Sequence, residues 1–395
     1  MVKGRPRKCE ILVINQVAQV GLKRFPEEAY SIVKEAKDPQ AILVRSADLH
    51  KYEFGPSLRA VGRAGAGVNN IPVAALSKRG VPVFNAPGAN ANAVKELVLA
   101  GILIAARNLA PALDFCRNLK NDNLEKTVED GKKQFAGSEL PGHTLGVIGL
   151  GKIGSLVADA ALRLGMQVQG FDPHITVEAA WSLSSQVRRA ASIEELIRSS
   201  HFVSLHVPLA DKTRHLINGK NVELFRSGAV LLNFSREGIV AEDAVLKGLK
   251  THHLKWYVTD FPTGDLLGHP GVIALPHLGA STREAEDNCA VMVADQVRDY
   301  LEHGNLQNAV NFPEASMPRE APYRVAIANA NVPDMLGRSS HALGRRKINI
   351  HNMLNKSKGE MAYTLVDADS PVPADTIKEL ADLNGVLAVR YLPVE

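Results

Sequence analysis

Residues 144–173, TLGVIGLGKIGSLVADAALRLGMQVQGFDP, run from an apolar segment through a glycine turn into a helical pattern and out to an acid. The apolar run 145–150 is short enough for a buried strand. Gly149-Leu150-Gly151-Lys152-Ile153-Gly154 then has the spacing G-x-G-x-x-G. Ile153, Val157, Ala160, Ala161 and Leu164 recur on one helical face, Gly165 stops the helix, and a second strand over 167–171 ends at Asp172. Each piece has a physical task. Gly149 allows a tight turn, Gly151 lets a pyrophosphate approach the backbone, and Gly154 lets helix and strand pack closely. The helix start, at Lys152 and Ile153, offers unpaired N–H groups and a partial positive charge to phosphate. Asp172, about 20 residues on, suits a ribose diol and repels a 2′-phosphate, so the stretch predicts an NAD site, with Pro173 and His174 following the acid.

Composition sets the bounds. A chain of 395 residues, 45% of them apolar, has material for two or three cored domains. A net charge of +4 without a Lys/Arg tract interleaved with aromatics argues against nucleic acid as a partner. The cluster Lys3, Arg5, Arg7, Lys8 reads as a solvated leader. Cys9, Cys116 and Cys289 are far apart and form no C-x-x-C, which predicts a reducing compartment with neither disulfides nor a metal site. The run 11–14 is too short for a secretory signal, and 97–106 is half a membrane span, so a soluble cytoplasmic protein is expected.

Elsewhere the pattern alternates. Strands are expected over 9–15, 41–45, 58–63 and 81–84, with helices over 30–37 and 90–106. Beyond the glycine turn, a helix over 193–199 and strands over 202–207, 230–234, 256–259 and 272–275 precede one long helix from 283. Alternation of this kind builds a parallel sheet with its sites at the strand C-termini. Pro313, Pro318 and Pro322 mark a linker over 313–322. The remainder, 323–395, reads strand-helix-strand-strand-helix-strand, the ferredoxin-like order.

GLGKIG, HVPLADKTRHLI, NFSREGIV and PHLGAST, in that order, resemble the D-isomer-specific 2-hydroxyacid dehydrogenase family. VRSAD, VGRAGAGVNNI and NAPGANANAVKELV are similar to the branch of it that acts on D-3-phosphoglycerate, and IANANVPDMLG with INIHNMLNKSKGEMAYTLVD resembles an ACT regulatory domain. The resemblance implies an α/β chain with two Rossmann-like doubly wound parallel-sheet domains and a C-terminal ferredoxin-like ACT domain. Residues 1–90 and 283–312 would form a split substrate domain, with the NAD-binding domain, 91–282, inserted. It implies NAD-dependent oxidation of 3-phosphoglycerate to 3-phosphohydroxypyruvate, the entry to serine synthesis, in a homodimer or homotetramer. A sister enzyme on an unphosphorylated 2-hydroxy acid is the nearest alternative. A non-catalytic NAD-sensing corepressor is the alternative from another class, and the presence of both His277 and Arg236 weighs against it.

Oxidising a 2-hydroxy acid needs a base for the hydroxyl proton and a cation for the carboxylate. His277, just past a strand end, suits general acid/base work, because histidine ordinarily titrates near neutrality. Arg236 can grip a carboxylate with two prongs, as lysine cannot. The family adds a carboxylate that orients the histidine. Here the string departs from the family's pattern, Asp260-Phe261-Pro262-Thr263-Gly264-Asp265: aligned on Phe-Pro-Thr the acid's place falls on Gly264, whereas counting from Asp260 it falls on Asp265, the residue expected to take the role. The resemblance further assigns Asp260 to the nicotinamide carboxamide. Val207, Pro208 and Thr213 fall along the adenosine, and Phe234, Ser235, Gly279 and Ala280 border the nicotinamide, with Arg236 and His277 also among the expected cofactor contacts. Arg45, Ser46 and Arg63, with the amides of Ala64 and Gly65, are the expected phosphate donors, and Lys51 reads as solvated. Asn329, Asn331 and Asn349 match the positions that bind an L-serine effector between paired ACT copies, with Asp334 where a glycine is usual. His201, His206, His215, His252, His253 and His269 share no ligand spacing and read as structural or surface residues.

Overall fold

The structure, a computed structural model, describes residues 8–120 and 123–394; the basic leader up to Arg7 lies outside them. The chain forms two compact units. One is 91–282; the other joins the residues up to Asn90 with those from Arg283 onward.

The first unit opens with β1 (Cys9–Ile14), a one-turn α1 (Gln19–Leu22), β2 (Tyr30–Val33), β3 (Ala41–Val44), β4 (Ala60–Arg63), α2 (Val73–Lys78) and β5 (Val83–Phe84). The strands are parallel in the order β2-β1-β3-β4-β5. This is a doubly wound order whose ligands bind beyond the strand C-termini. Every residue of β3 is buried, as a central parallel strand covered on both faces requires. The helix expected over 30–37 is instead the edge strand β2, with Tyr30 level with Cys9. Tyr30 is buried while Ile32 is exposed, and the Tyr30 hydroxyl donates to Glu302 at 3.0 Å. Tyr-Ser-Ile-Val has strand propensity, and α1 is only four residues long, so the helical spacing of its apolar residues was coincidental.

The second unit begins with α3 (Ala91–Ala106), α4 (Leu109–Arg117) and α5 (Leu124–Gly131). Then come β6 (Thr144–Ile148), α6 (Lys152–Arg163), β7 (Gln167–Phe171), α7 (Val177–Ser182), β8 (Arg188–Arg189), α8 (Ile193–Ser199) and β9 (Phe202–Leu205). β10 (Ala229–Asn233), α9 (Glu242–Lys250), β11 (Leu254–Thr259) and β12 (Val272–Ala274) complete it. Its parallel sheet runs β12-β11-β10-β9-β6-β7-β8. The winding reverses between β6 and β9, which puts a ligand crevice outside their C-termini.

The chain returns to the first unit through α10 (Arg283–His303), whose Ala290, Val293, Ala294 and Val297 join the core of Ile11, Leu43 and Ala60. The last segment is β13 (Tyr323–Ala330), α11 (Met335–Gly344), β14 (Ile350–Lys358), β15 (Met361–Ala368), α12 (Ala374–Ala381) and β16 (Val386–Pro393). Its antiparallel sheet, β14-β15-β13-β16, has ferredoxin-like order. Val325, Ile327, Val366 and Leu380 pack with Leu343 on the helix side. Ala326, Ala328, Tyr363 and Leu365, on the opposite side of the sheet, join the core of Phe84, Tyr300 and Phe312.

The stretch expected as a linker is packed into this unit. Ala315, Met317 and Ala321 are buried, and Leu306 and Ala315 exchange backbone hydrogen bonds of 2.7 and 3.0 Å. The prolines break secondary structure there, but burial immobilises the chain. The C-terminal sheet also supplies partners for the last carbonyls of α10 and the residue after it; that of Tyr300 accepts from the Gly304 amide at 2.9 Å as well, while those of Leu301, His303 and Gly304 lie beyond the last helical N–H. Arg390 donates to the carbonyls of Tyr300 and Leu301, 2.7 Å each, and lies 4.5 Å over the Tyr300 ring. Arg324 donates to the carbonyl of His303 at 3.1 Å, and Tyr363 Oη to that of Gly304 at 2.6 Å. Arg324 is wholly buried against Asp367, which is equally buried. Among the described residues no single helix is long and apolar enough to cross a membrane.

Candidate active site

In the second unit β6 ends in the glycine turn. Gly149 has φ +90°, and a Cβ there would lie 2.5 Å from the His206 carbonyl oxygen; a Cβ on Gly154 would lie 1.9 Å from that of Gly149. Neither position admits a side chain. Gly151 faces open space, and α6 starts at Lys152, which is exposed, followed by the half-buried Ile153. The start of α6 therefore has open space at Gly151, which fits the approach of a diphosphate to the backbone. Asp172, at the end of β7, accepts from the Leu150 amide through Oδ2 and from the His174 amide through Oδ1, each 2.9 Å. Its carboxylate is thus fixed beside the turn, and each oxygen keeps a lone pair for a hydroxyl donor.

The loop after β9 carries Val207, Pro208 and Thr213. Thr213 Oγ1 accepts from the Ala210 amide at 2.8 Å and donates to the Pro208 carbonyl, closing the loop on itself. His206, read as structural, shares a 2.8 Å hydrogen bond with Ser204, and burial pushes its pKa down to about 4, so it is neutral at pH 7.

Phe234 is buried beyond β10, and Ser235 Oγ donates to the Leu205 carbonyl. The exposed Arg236 guanidinium donates to the Ser235 carbonyl at 2.7 Å. Asn233, quoted within its motif but given no role, organises this turn. Its Nδ2 donates to the Arg236 carbonyl at 3.0 Å, and its Oδ1 accepts from the Ser235 amide at 3.2 Å. Its signal was an amide at the end of an otherwise apolar strand, where two backbone groups need partners.

Asp260 is buried at the end of β11. Its Oδ2 accepts from the Gly279 amide and its carbonyl from the His277 amide, both 3.0 Å. Its Oδ1 is buried without a hydrogen-bond partner among the described residues. Burial raises the Asp260 pKa, while the Gly279 hydrogen bond and the charges of His277 and Arg236 oppose the rise. An unpaired buried acceptor is costly, and a ligand amide beside the Gly279-Ala280 turn would satisfy it. With the open glycine turn, this makes the residues present fit a nicotinamide dinucleotide. His277 lies in left-handed backbone, φ +47°, its exposed ring 4.7 Å from that of Phe261.

The expectation that Asp265 pairs with His277 is not met: among the described residues no ion pair involves the His277 ring. The 260–267 loop turns away instead, through a 3-10 turn (Gly264–Leu266), and Glu242 Oε1 accepts from Thr263 Oγ1 at 2.8 Å and the Asp265 amide at 3.0 Å. Asp265→Asn is therefore expected to lower kcat/KM by no more than about threefold; a loss of two decades would return Asp265 to the site.

In the first unit Arg45 follows β3 and Arg63 ends β4. Arg63 Nε donates to the Arg45 carbonyl at 3.0 Å, and Arg45 Nη2 to Glu286 Oε1 at 2.6 Å. Ser46 is exposed beside them. The amides of Ala64 and Gly65, expected as phosphate donors, are committed to the carbonyls of Val44 and Arg63 at 2.8 Å each, so they are removed from that role. In the C-terminal sheet Asn329 is buried, with Nδ2 on the Ala330 carbonyl and Oδ1 without a partner among the described residues. Asn331 donates to the Gly359 carbonyl at 3.0 Å and Asn349 to Asp369. Asn329 is level with Ala362, whereas Ile350, next to Asn349, is level with Ala368. The two therefore sit at opposite ends of β15, roughly 20 Å apart.

Residues 99–279 match the model of the D-isomer specific 2-hydroxyacid dehydrogenase, NAD binding domain. The chain is 31% identical to D-3-phosphoglycerate dehydrogenase of Escherichia coli K12 across 98% of each protein. It is 37% identical to the enzyme of that name from Methanocaldococcus jannaschii over 73% of this chain, although the match spans only 54% of that longer relative. Among solved structures, NAD+-bound 3-phosphoglycerate dehydrogenase of Entamoeba histolytica aligns at a TM-score of 0.61 and 25% identity, over 77% of this chain and 99% of that one. D-2-hydroxyisocaproate dehydrogenase, at 0.62 and 21%, shares the fold. The chain belongs to the D-isomer-specific 2-hydroxyacid dehydrogenases and, within them, to the D-3-phosphoglycerate dehydrogenase family.

Proposed function

We propose that this chain oxidises D-3-phosphoglycerate to 3-phosphohydroxypyruvate with NAD+, opening serine synthesis. The reading rests on one observation above the rest: His277, Asp260 and Arg236 gather about the Gly279 turn at the strand ends of a nucleotide-binding sheet. His277 takes the hydroxyl proton, and returns it in the reverse direction. Arg236, its backbone held by Asn233, grips the substrate carboxylate. Asp260 Oδ1 accepts from the carboxamide, and Gly279 fixes the other oxygen. The α6 amides take the diphosphate and Asp172 the ribose hydroxyls, with Val207, Pro208 and Thr213 alongside. Bound NAD+ supplies the hydride acceptor. In the first unit Arg45 and Arg63, with Ser46, provide the positive charge for the substrate phosphate. Initial rates with phosphoglycerate and D-glycerate test this. On the order of a hundredfold preference for the phosphorylated acid is expected, from charge-assisted hydrogen bonds to phosphate. A preference for D-glycerate would select the sister enzyme.

The C-terminal domain is read as an ACT domain that binds L-serine between two copies. The opposed placement of Asn329 and Asn349 on one sheet supports this, since a second copy is needed to bring an Asn329 and an Asn349 together. Asn329 Oδ1, buried and without a partner among the described residues, is the acceptor for the serine ammonium. Asp334 stands outside the sheet in left-handed backbone at the start of α11, only 3.9 Å from Arg338, so its charge is partly offset. Isothermal calorimetry with L-serine is expected to show saturable heat that Asn329→Ala abolishes; absence of both heat and inhibition would remove the regulatory role. The same reading makes the chain a cytoplasmic homodimer or homotetramer.

A further inference from the structure

Arg45 and Arg63 do not form an undivided positive patch. Glu286, in the first turn of α10, is paired with Arg45 at 2.6 Å, and both side chains are about one-third exposed, 34% and 40%. The backbone of Arg45 is fixed by Arg63 Nε on its carbonyl. The Arg63 guanidinium folds over Gly65, where a Cβ would meet its Nη1 at 2.2 Å. The buried Cys289 thiol registers the same cluster. Burial raises its pKa, the charges of Arg63 and Arg45 pull it down, and Glu286 pushes it up. Two cations and one carboxylate therefore stand together where β3 and β4 end and α10 begins. The carboxylate occupies the helix N-terminus, where an anion is favoured, and it holds a guanidinium N–H that an incoming phosphate oxygen would use.

We propose that Glu286 is a specificity-determining residue: an internal counter-ion that a substrate phosphate must displace from Arg45, setting how strongly the site favours phosphorylated over unphosphorylated acids. The inference rests on the reading of Arg45 and Arg63 as the phosphate cations. A carboxylate monoanion and a phosphate dianion compete for the same donors, and the stronger charge wins. Displacing Glu286 subtracts from the affinity for phosphate and leaves an acid without that group untouched.

The test uses the full-length chain, wild type and Glu286→Gln, with initial rates on phosphoglycerate and D-glycerate and with inorganic sulfate as inhibitor. The glutamine keeps length and hydrogen bonding but removes the charge. KM for phosphoglycerate and the inhibition constant of sulfate are each expected to fall roughly three- to tenfold, with KM for D-glycerate moving by less than about twofold. A KM for phosphoglycerate that is unchanged or raised in the variant, in a wild type that prefers phosphoglycerate, overturns the inference and leaves the phosphate site standing; Glu286 then only positions Arg45. A wild type that prefers D-glycerate and is not inhibited by sulfate overturns the phosphate site and the inference with it.

Discussion

His277→Ala is expected to lower kcat/KM for phosphoglycerate by two or more decades, and Arg236→Ala to do the same. General base catalysis by a positioned side chain contributes about 10²- to 10⁴-fold, and the nearby Asp260 is buried with Oδ2 committed to the Gly279 amide. For Arg236, read as the partner of the carboxylate, the loss should fall chiefly on KM, because a contact made alike in ground and transition states is uniform binding. Arg236→Lys should not restore activity, since a lysine cannot reproduce the two-pronged grip. Steady-state kinetics with a pH profile reads both effects, and wild-type kcat/KM in either alanine variant would refute the site. Nucleotide affinity distinguishes this loss from misfolding. The glycine turn and Asp172 lie on other elements, so NAD+ binding should survive both substitutions.

Arg324→Met is expected to destabilise the first unit by about 3–5 kcal/mol, the cost of removing one partner from a buried ion pair. Asp367 would be left wholly buried and unpaired, and the carbonyls of Met317 and Pro318, each 3.0 Å from Arg324, would lose their donor. In a unit of this size that corresponds to a fall in melting temperature of roughly 10 °C. The double variant Arg324→Met with Asp367→Leu should recover part of the loss, because it removes the stranded charge as well. Thermal unfolding followed by circular dichroism is the measurement. A change within about 2 °C for the single variant would mean that the pair contributes little.

The nucleotide-binding half was legible because its determinants are local. The glycine spacing, the helix periodicity and the terminal acid all fall within 144–173, and each acts through backbone geometry that needs no distant partner. The same holds for Arg236 and Asp260, which sit at strand ends, and for His277 in the turn just after one. What the sequence hid depends on packing. Tyr30 to Val33 has helical spacing, and only its register with β1 makes it a strand. Residues 313–322 look like a connector until Ala315 and Met317 are seen to be buried. Asp265 has the right count from Asp260, but Glu242, far away in sequence, captures its amide and turns the loop. Ala64 and Gly65 seemed open because a sequence does not show which carbonyls their amides already serve. Glu286 drew no notice, being one acid among several on a helix, until folding set it against Arg45.

The way the C-terminal sheet finishes α10 has a consequence for engineering. Arg390, Arg324 and Tyr363 complete a helix that belongs to the other half of their unit. Cutting the gene before β13 would expose Phe84, Tyr300 and Phe312 to water and strand three backbone oxygens, those of Leu301, His303 and Gly304. Transplanting a foreign domain onto the stump would fail for the same reason, unless the graft brought matching guanidinium and phenol groups. In this protein the tail is a keystone, and shortening the chain should yield an insoluble product rather than a deregulated one.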